Sequence, residues 1–252
     1  MRIEQLCTAL KLSYIRDNYA IHIEESKQTN QSHMGFLLDL LENEHSRRQE
    51  NTIKRRINDA RFPQKVHMSD FDRTVYDSKF IERFDELETL EFIDEKQNII
   101  LKGASGAGKT YYACALGLAA CMAGKSVLFV SLADFIIKLK ETMNLNQISS
   151  FKRRFQKYDL VILDELGYYS FDKGVAEIFF NLLSSRELQG SIIITTNLDF
   201  EEWIMPLGET KLTGAFVSRI CRRAHILELE REIDGRMQDT LDWLCNKKNN
   251  SN

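Results

Sequence analysis

The chain has 252 residues, 43% of them hydrophobic, and a net charge of −3, which is room for one globular domain with an ordinary core plus a smaller appendage. The slight acidic balance excludes a uniformly basic nucleic-acid coat, so any nucleic-acid contact must come from a local patch. The opening MRIEQLCTALKLSYIRD lacks the apolar core of a secretory signal, the longest apolar stretch is too short to span a bilayer, and five cysteines (Cys7, Cys114, Cys121, Cys221, Cys245) without C-x-x-C spacing point to reduced thiols in a cytoplasm.

In chain order, FLLDLL at 36–41 and residues 53–62 read as helical. Between positions 47 and 65 seven lysines and arginines stand against two acidic residues. This stripe includes Arg47, Arg48, Lys54, Arg55, Arg56 and Arg61. It can contact phosphates without reading bases. A charge run is also what a solvated helix face looks like, and the stripe alone does not decide between them. Residues 70–94 read as a connector.

NIIL at 98–101 is a short buried strand, and LKGASGAGKT follows at 101–110. The spacing is G-x-x-x-x-G-K-T: Gly103, four residues (Ala104, Ser105, Gly106, Ala107), then Gly108, Lys109 and Thr110. Glycines let such a loop turn tightly and bring backbone N–H groups close to a phosphate chain. Lysine supplies a point charge to the β- and γ-phosphates, and the threonine hydroxyl can hold Mg²⁺. The following segment, YYACALGLAACMA at 111–123, predicts an apolar helix whose N-terminus faces the anion. Cys114 and Cys121, seven apart on that helix, are expected to be packed inside.

Further strands are predicted at 126–131, 159–163, 191–195 and 225–230, with helices at 133–143 and 174–188 between them. Strands alternating with helices predict an α/β fold, a parallel sheet of five strands covered on both faces. The third strand, DLVIL, runs directly into Asp164 and Glu165. An aspartate at a strand end beside a phosphate loop can hold Mg²⁺ through water, near Thr110. The adjoining glutamate can orient or deprotonate an attacking water. Small-molecule kinases mostly lack that glutamate, so the pair favours hydrolysis over transfer to a metabolite. Taken alone, the two acids would read as a helix cap.

Asn197 ends the fourth strand, with Thr196 beside it, and can position a water near the γ-phosphate, although asparagine also suits a plain strand-end turn. Arg219 lies in GAFVSRICRRAHILELE. It is either an arginine that completes the site of a neighbouring subunit or one of a solvated basic group with Arg222 and Arg223.

The series LKGASGAGKTYYACALGLAA, YDLVILDELGYYS, SIIITTNLDFEEW and LTGAFVSRICRRAHILELE resembles the IstB-like ATP-binding proteins. These are helper ATPases of insertion-sequence transposition, related to the DnaC helicase loaders in the AAA+ group of P-loop NTPases. The resemblance covers nearly the whole chain, and the DELGY and TTNLDFEEW pieces carry more of it than the widely shared phosphate loop. It implies that residues 103–110, with Tyr111, hold ATP, that Thr110 and Asp164 serve Mg²⁺, and that Lys109, Glu165 and Asn197 act in hydrolysis. Arg219 matches the arginine of the family's D-R-L, with Ser218 in place of the aspartate. The family's closing G-E-S-x-R element is not clean, and Arg236 matches it only with a shift.

The resemblance further implies that the basic stripe contacts duplex DNA without sequence preference, that the chain assembles into an ATP-dependent oligomer, and that its partner is a transposase. A DnaC-like helicase loader is the alternative. The expected organisation is a helical DNA-binding or assembly region at 1–68, a linker packing on the core at 69–97, an ATPase core at 98–232, and a C-terminal helix with a polar tail at 233–252. About twenty residues follow Glu230, too few for a multi-helix lid, so a neighbouring subunit is expected to close the site.

Overall fold

The computed structural model describes residues 2–167, 171–208 and 210–230, with the backbone alone at 210–212. The expectations for Arg236, Cys245, the C-terminal helix and the lid fall at 231–252, outside the described residues. The chain divides into two compact units, Met1–Arg55 and Arg56–Asn252.

The first unit contains α1 (Arg2–Ala9), α2 (Ser13–Gln28) and most of α3 (His33–Ala60). The two helical stretches expected at 36–41 and 53–62 are parts of one 28-residue helix. Nothing between them breaks it: LENEHSRRQENT carries no glycine or proline. It stops where Arg61 turns left-handed, φ 62°, two residues ahead of Pro63.

Glu44, buried on α3, organises the turn between α1 and α2. Its carboxylate accepts the N–H of Tyr14 at 2.8 Å and of Ile15 at 3.2 Å, satisfying two donors at the start of α2. Arg48 Nε donates to the same carboxylate at 3.0 Å, and its Nη2 donates to the Lys11 carbonyl at 2.7 Å, just past the end of α1.

The second unit begins within α3. Ala60, Val66 and Phe71 are buried in the same cluster as Ile99 and Tyr112, so these residues pack with the sheet. Its elements follow as α4 (Ser78–Glu88), α5 (Glu91–Asp94), β1 (Asn98–Lys102), α6 (Lys109–Met122), β2 (Val127–Ser131), α7 (Leu132–Asn144) and α8 (Ile148–Phe155). Then come β3 (Leu160–Leu166), α9 (Lys173–Ser184), β4 (Ser191–Thr196), α10 (Ile204–Leu207), α11 (Thr210–Cys221) and β5 (Ala224–Glu228).

The five strands form one sheet in the order β2-β3-β4-β1-β5, and every pairing is parallel. Side chains alternate between its faces. Ile99, Leu101, Leu160, Ile162 and Ile193 pack with α6 and the 60–93 segment. Ile100, Val161, Leu163, Ile192 and Ile194 pack with residues of α7, α9 and α11. Both faces are therefore covered, which is why the strands read as unbroken apolar runs.

Two expected boundaries move. The helix expected at 174–188 ends at Ser184, and Leu188 adopts a left-handed φ of 65°. β3 continues past Leu163 to Leu166 through a bulge. Cys114 and Cys121 are fully buried, and burial pushes their thiols up to about 12 and about 11. Among the described residues no helix is long and apolar enough to cross a membrane.

Candidate functional site

The G-x-x-x-x-G-K-T loop leaves the C-terminal end of β1. Its first glycine is tied at both sides: Gly103 N–H donates to the Thr196 carbonyl at 3.2 Å, and Leu229 N–H donates to the Lys102 carbonyl at 2.7 Å. A Cβ at Gly103 would overlap the Leu229 carbonyl oxygen, and φ is 151°, so only glycine fits there. Gly108, φ 88°, is the residue from which α6 starts. The first turn of α6 carries Lys109, Thr110 and Tyr111, so this helix N-terminus follows the loop directly. Lys109 Nζ arches back over the loop and donates to the carbonyls of Gly103 at 2.8 Å and Ala104 at 2.7 Å. This places the ammonium within the curve formed by residues 103–108. Tyr111 faces elsewhere, its hydroxyl donating to the Asp70 carbonyl at 3.2 Å.

Asp164 and Glu165 sit on β3, two strands away from β1, with β4 between them. The sheet brings Asp164 to the loop nonetheless. Thr110 Oγ1 donates to Asp164 Oδ1 at 2.8 Å, and Thr195 Oγ1 of β4 donates to the same oxygen at 2.6 Å. Asp164 is buried, 6% exposed, whereas Glu165 is exposed. The cause is local. The β3–β4 register slips between Leu163 and Leu166, and Glu165 takes a left-handed φ of 65°. A bulge of this kind re-aims a side chain. Here it turns consecutive acids in different directions, one inward to Thr110 and one to solvent. The strained backbone at Glu165 is held by its own N–H, which donates to Thr195 Oγ1 at 2.9 Å.

Thr195 was not singled out by the sequence. It lies inside an apolar strand, and its role follows from β4 being the neighbour of β3. Thr196, the expected helper of Asn197, is buried and occupied: its hydroxyl donates to the Leu166 carbonyl at 2.8 Å and accepts the Leu198 N–H at 3.0 Å. Asn197 is exposed just beyond β4, its Oδ1 beside Gly167, two residues after Glu165. Lys102, immediately before the loop, pairs with Asp199 and, at 2.7 Å, with Glu228. It thereby joins the ends of β1, β4 and β5, and the hydrogen bonds it donates to these two carboxylates raise its pKa.

Arg219 is not brought to this site. It lies in the last turn of α11, exposed, with Nη1 donating to Ser184 Oγ at 2.5 Å. It lines a cavity of about 30 Å³ with Asn98, Gly190 and Ile192, residues at the N-terminal ends of β1 and β4. The loop is at the opposite end of β1, about 16 Å away for a strand of this length.

Of the basic stripe, Arg47, Arg55 and Arg61 are exposed and Arg56 is half-buried. Lys54 lies 3.8 Å from Glu50. Arg48 is committed to Glu44 and the Lys11 carbonyl.

The donor set fits a small hard cation. A threonine hydroxyl and a carboxylate converge at the mouth of a phosphate loop, leaving other positions to water and phosphate oxygens, as Mg²⁺ prefers.

A parallel sheet with a strand inserted between the loop-bearing and acid-bearing strands, and Asp164 beside the loop threonine, is the fold of the AAA+ group of P-loop NTPases. Residues 5–240 match the family described as IstB-like ATP binding protein, and the chain belongs to that family. It is 31% identical over 231 residues to an ATP-binding protein of insertion sequence IS5376 from Geobacillus stearothermophilus, covering 92% of each chain. It is 30% identical over 233 residues to that of IS21 from Pseudomonas aeruginosa, covering 91% of this chain and 87% of the other. Among solved structures, AMPPCP-bound DnaA from Aquifex aeolicus superposes with a TM-score of 0.58 at 21% identity, covering 74% of this chain and 56% of that one. The DnaC helicase loader superposes with a TM-score of 0.56 at 20% identity, covering 68% and 99%.

Proposed function

We propose that this protein hydrolyses ATP with Mg²⁺, assembles on DNA, and regulates the transposase of an insertion sequence. The observation that carries the hydrolytic part is the Thr110–Asp164–Glu165 arrangement. A bound Mg²⁺ would be held by Thr110 and, through water, by Asp164, and would offset charge on the β- and γ-phosphates. The loop N–H groups and Lys109 bind those phosphates. Glu165, turned out of the strand, accepts a proton from the water that attacks the γ-phosphorus while the bond to the ADP oxygen breaks. Asn197, beside Gly167, orients that water.

The family membership and the insertion-sequence relatives support the transposition role. Arg47, Lys54, Arg55 and Arg61, exposed members of the basic stripe, support contact with DNA phosphates. The position of Arg219 supports assembly: in one chain it lies at the opposite end of the strands from the loop, so it reaches a nucleotide only in a neighbouring copy. The test is ATP turnover with and without duplex DNA long enough for several copies. Turnover per chain should rise with protein concentration and with such DNA. Arg219→Ala and Glu165→Gln proteins, each inactive, should regain partial activity when mixed on one DNA. Mixtures as inactive as their components, despite co-assembly, would make Arg219 a structural or DNA-facing residue.

A helicase-loader role is the second reading, favoured by the superposition on nearly the full DnaC chain. The gene neighbourhood tests the two: an adjoining transposase gene would support the first reading, an adjoining replication gene the second.

A further inference from the structure

The segment ahead of β1 reaches into the phosphate loop at one point. Tyr76, 6% exposed, donates its hydroxyl to the Ala107 carbonyl at 2.7 Å, and Ala107 is itself buried. The adjoining Gly108 is the residue on which the loop becomes helix, and a Cβ there would overlap the Tyr76 hydroxyl. The ring above that hydroxyl is fixed by aromatic contacts. Phe71 stacks on it at 5.4 Å between centroids, and Phe84 meets it edge-on at 5.5 Å. Phe71 also packs at 4.8 Å on Tyr112 of α6. The turn that delivers Tyr76 is fastened separately. Its N–H donates to the Arg73 carbonyl at 3.1 Å, and the Arg73 guanidinium forks onto Asp85, at 2.5 Å, and Glu88 of α4. The path therefore runs from the acids of α4 through Arg73 and Tyr76 to the loop backbone.

We infer that Tyr76 is a positioning residue for nucleotide binding: its hydroxyl pins the Ala107 carbonyl and so holds the following N–H groups, Gly108 to Thr110, in the curve that accepts phosphates. The inference rests on the ATP reading of this loop. A peptide plane has two ends, and fixing the Ala107 carbonyl fixes the direction of the Gly108 N–H. Without the pin the carbonyl is a buried acceptor lacking its partner, and the plane is free to rotate toward water. The loop then has to be ordered by the nucleotide, which weakens binding of any ligand that uses it.

Tyr76→Phe keeps the stacked ring and removes only the hydroxyl. Two measurements test it. In nucleotide-free protein, hydrogen–deuterium exchange of the peptide covering 103–110 should be about tenfold faster than in the parent, with the other strands unchanged. By calorimetry, ATP and ADP should both bind about tenfold more weakly, with KM raised in proportion and kcat within about twofold, because the lost contact is made equally in ground and transition states. Arg73→Gln, which loosens the turn but keeps the hydroxyl, should move both readouts the same way by a smaller factor. A merely structural role would lower thermal stability and leave loop exchange and nucleotide affinity at parental values, and that result overturns the inference. A parent protein that binds no ATP would sink the ATP reading of the loop, while the exchange experiment would still decide what Tyr76 does to its backbone.

Discussion

Thr195 and Asp164 stand 2.6 Å apart, hydroxyl to carboxylate, and the same threonine oxygen accepts the N–H of Glu165. One side chain on β4 thus sets both acids of β3, one by orienting its carboxylate toward Thr110 and the other by holding its left-handed backbone. Thr195→Val keeps the shape and removes both interactions. ATP hydrolysis should fall by about 10- to 100-fold, with ATP affinity changed less than about threefold, as for loss of a contact that matters in the transition state. Thermal unfolding should report a loss of about 1–2 kcal/mol from the unsatisfied Glu165 N–H. Parental turnover in this variant would show that Thr195 serves the strand and not the chemistry.

The lysine of the loop gives a different signature. Lys109→Ala removes the charge that lies over the Gly103 and Ala104 carbonyls. Nucleotide binding itself should be lost, at least about 100-fold by calorimetry, while the fold persists. Retained affinity would mean that the loop binds phosphates by backbone alone.

In the first unit, Glu44→Ala leaves the N–H groups of Tyr14 and Ile15 and the Arg48 guanidinium without their acceptor. The expected cost is about 1–2 kcal/mol, because two half-buried donors at the start of α2 lose their cap. Limited proteolysis should show faster cleavage around residues 10–15. Unchanged cleavage would show that Arg48 alone secures the turn.

For DNA, charge reversal at Arg55 and Arg56 should weaken binding to all duplex sequences alike and flatten the salt dependence by about 1–2 in slope. Arg48→Glu is a poor probe of the same surface, since it also disrupts the Glu44 cap. Parental affinity at low salt in the Arg55 and Arg56 reversal would move the DNA contact, with Lys152, Arg153 and Arg154 of α8 the next candidates.

The buried thiols predict a pH dependence at the alkaline side. Burial raises Cys114 from 9.0 to about 12 and Cys121 from 9.0 to about 11. The folded state therefore holds these protons more tightly than the unfolded chain. The associated stability is complete below about pH 9 and is lost as pH rises toward 11–12. Both thiols should resist a thiol reagent in native protein at pH 8 and react on unfolding; rapid native labelling of Cys114 would contradict its burial.

What could be read from the sequence was whatever is local. The phosphate loop, the strand before it and the helix after it are contiguous, and Asp164-Glu165 follows an apolar strand directly. Other features depend on strand order and tertiary packing. Thr195 looks like one more residue of SIIITT until β4 is placed beside β3. Tyr76 looks like linker until its turn is seen against the loop. Glu44 and Arg48 read as surface charge because their partners lie at the α1–α2 junction, about thirty positions away in the chain. The bulge that turns Glu165 outward is a register shift, invisible to periodicity because it concerns two strands at once.

Glu165 is proposed as the base of an ATP-hydrolysing site whose other parts bind nucleotide without it. The direct measurement is phosphate release at saturating ATP, Mg²⁺ and DNA, paired with ATP affinity, for the parent and Glu165→Gln. ATP affinity should stay within about threefold of the parent, with turnover reduced by about 100-fold or more. Turnover equal to the parent's, with binding intact, would contradict it.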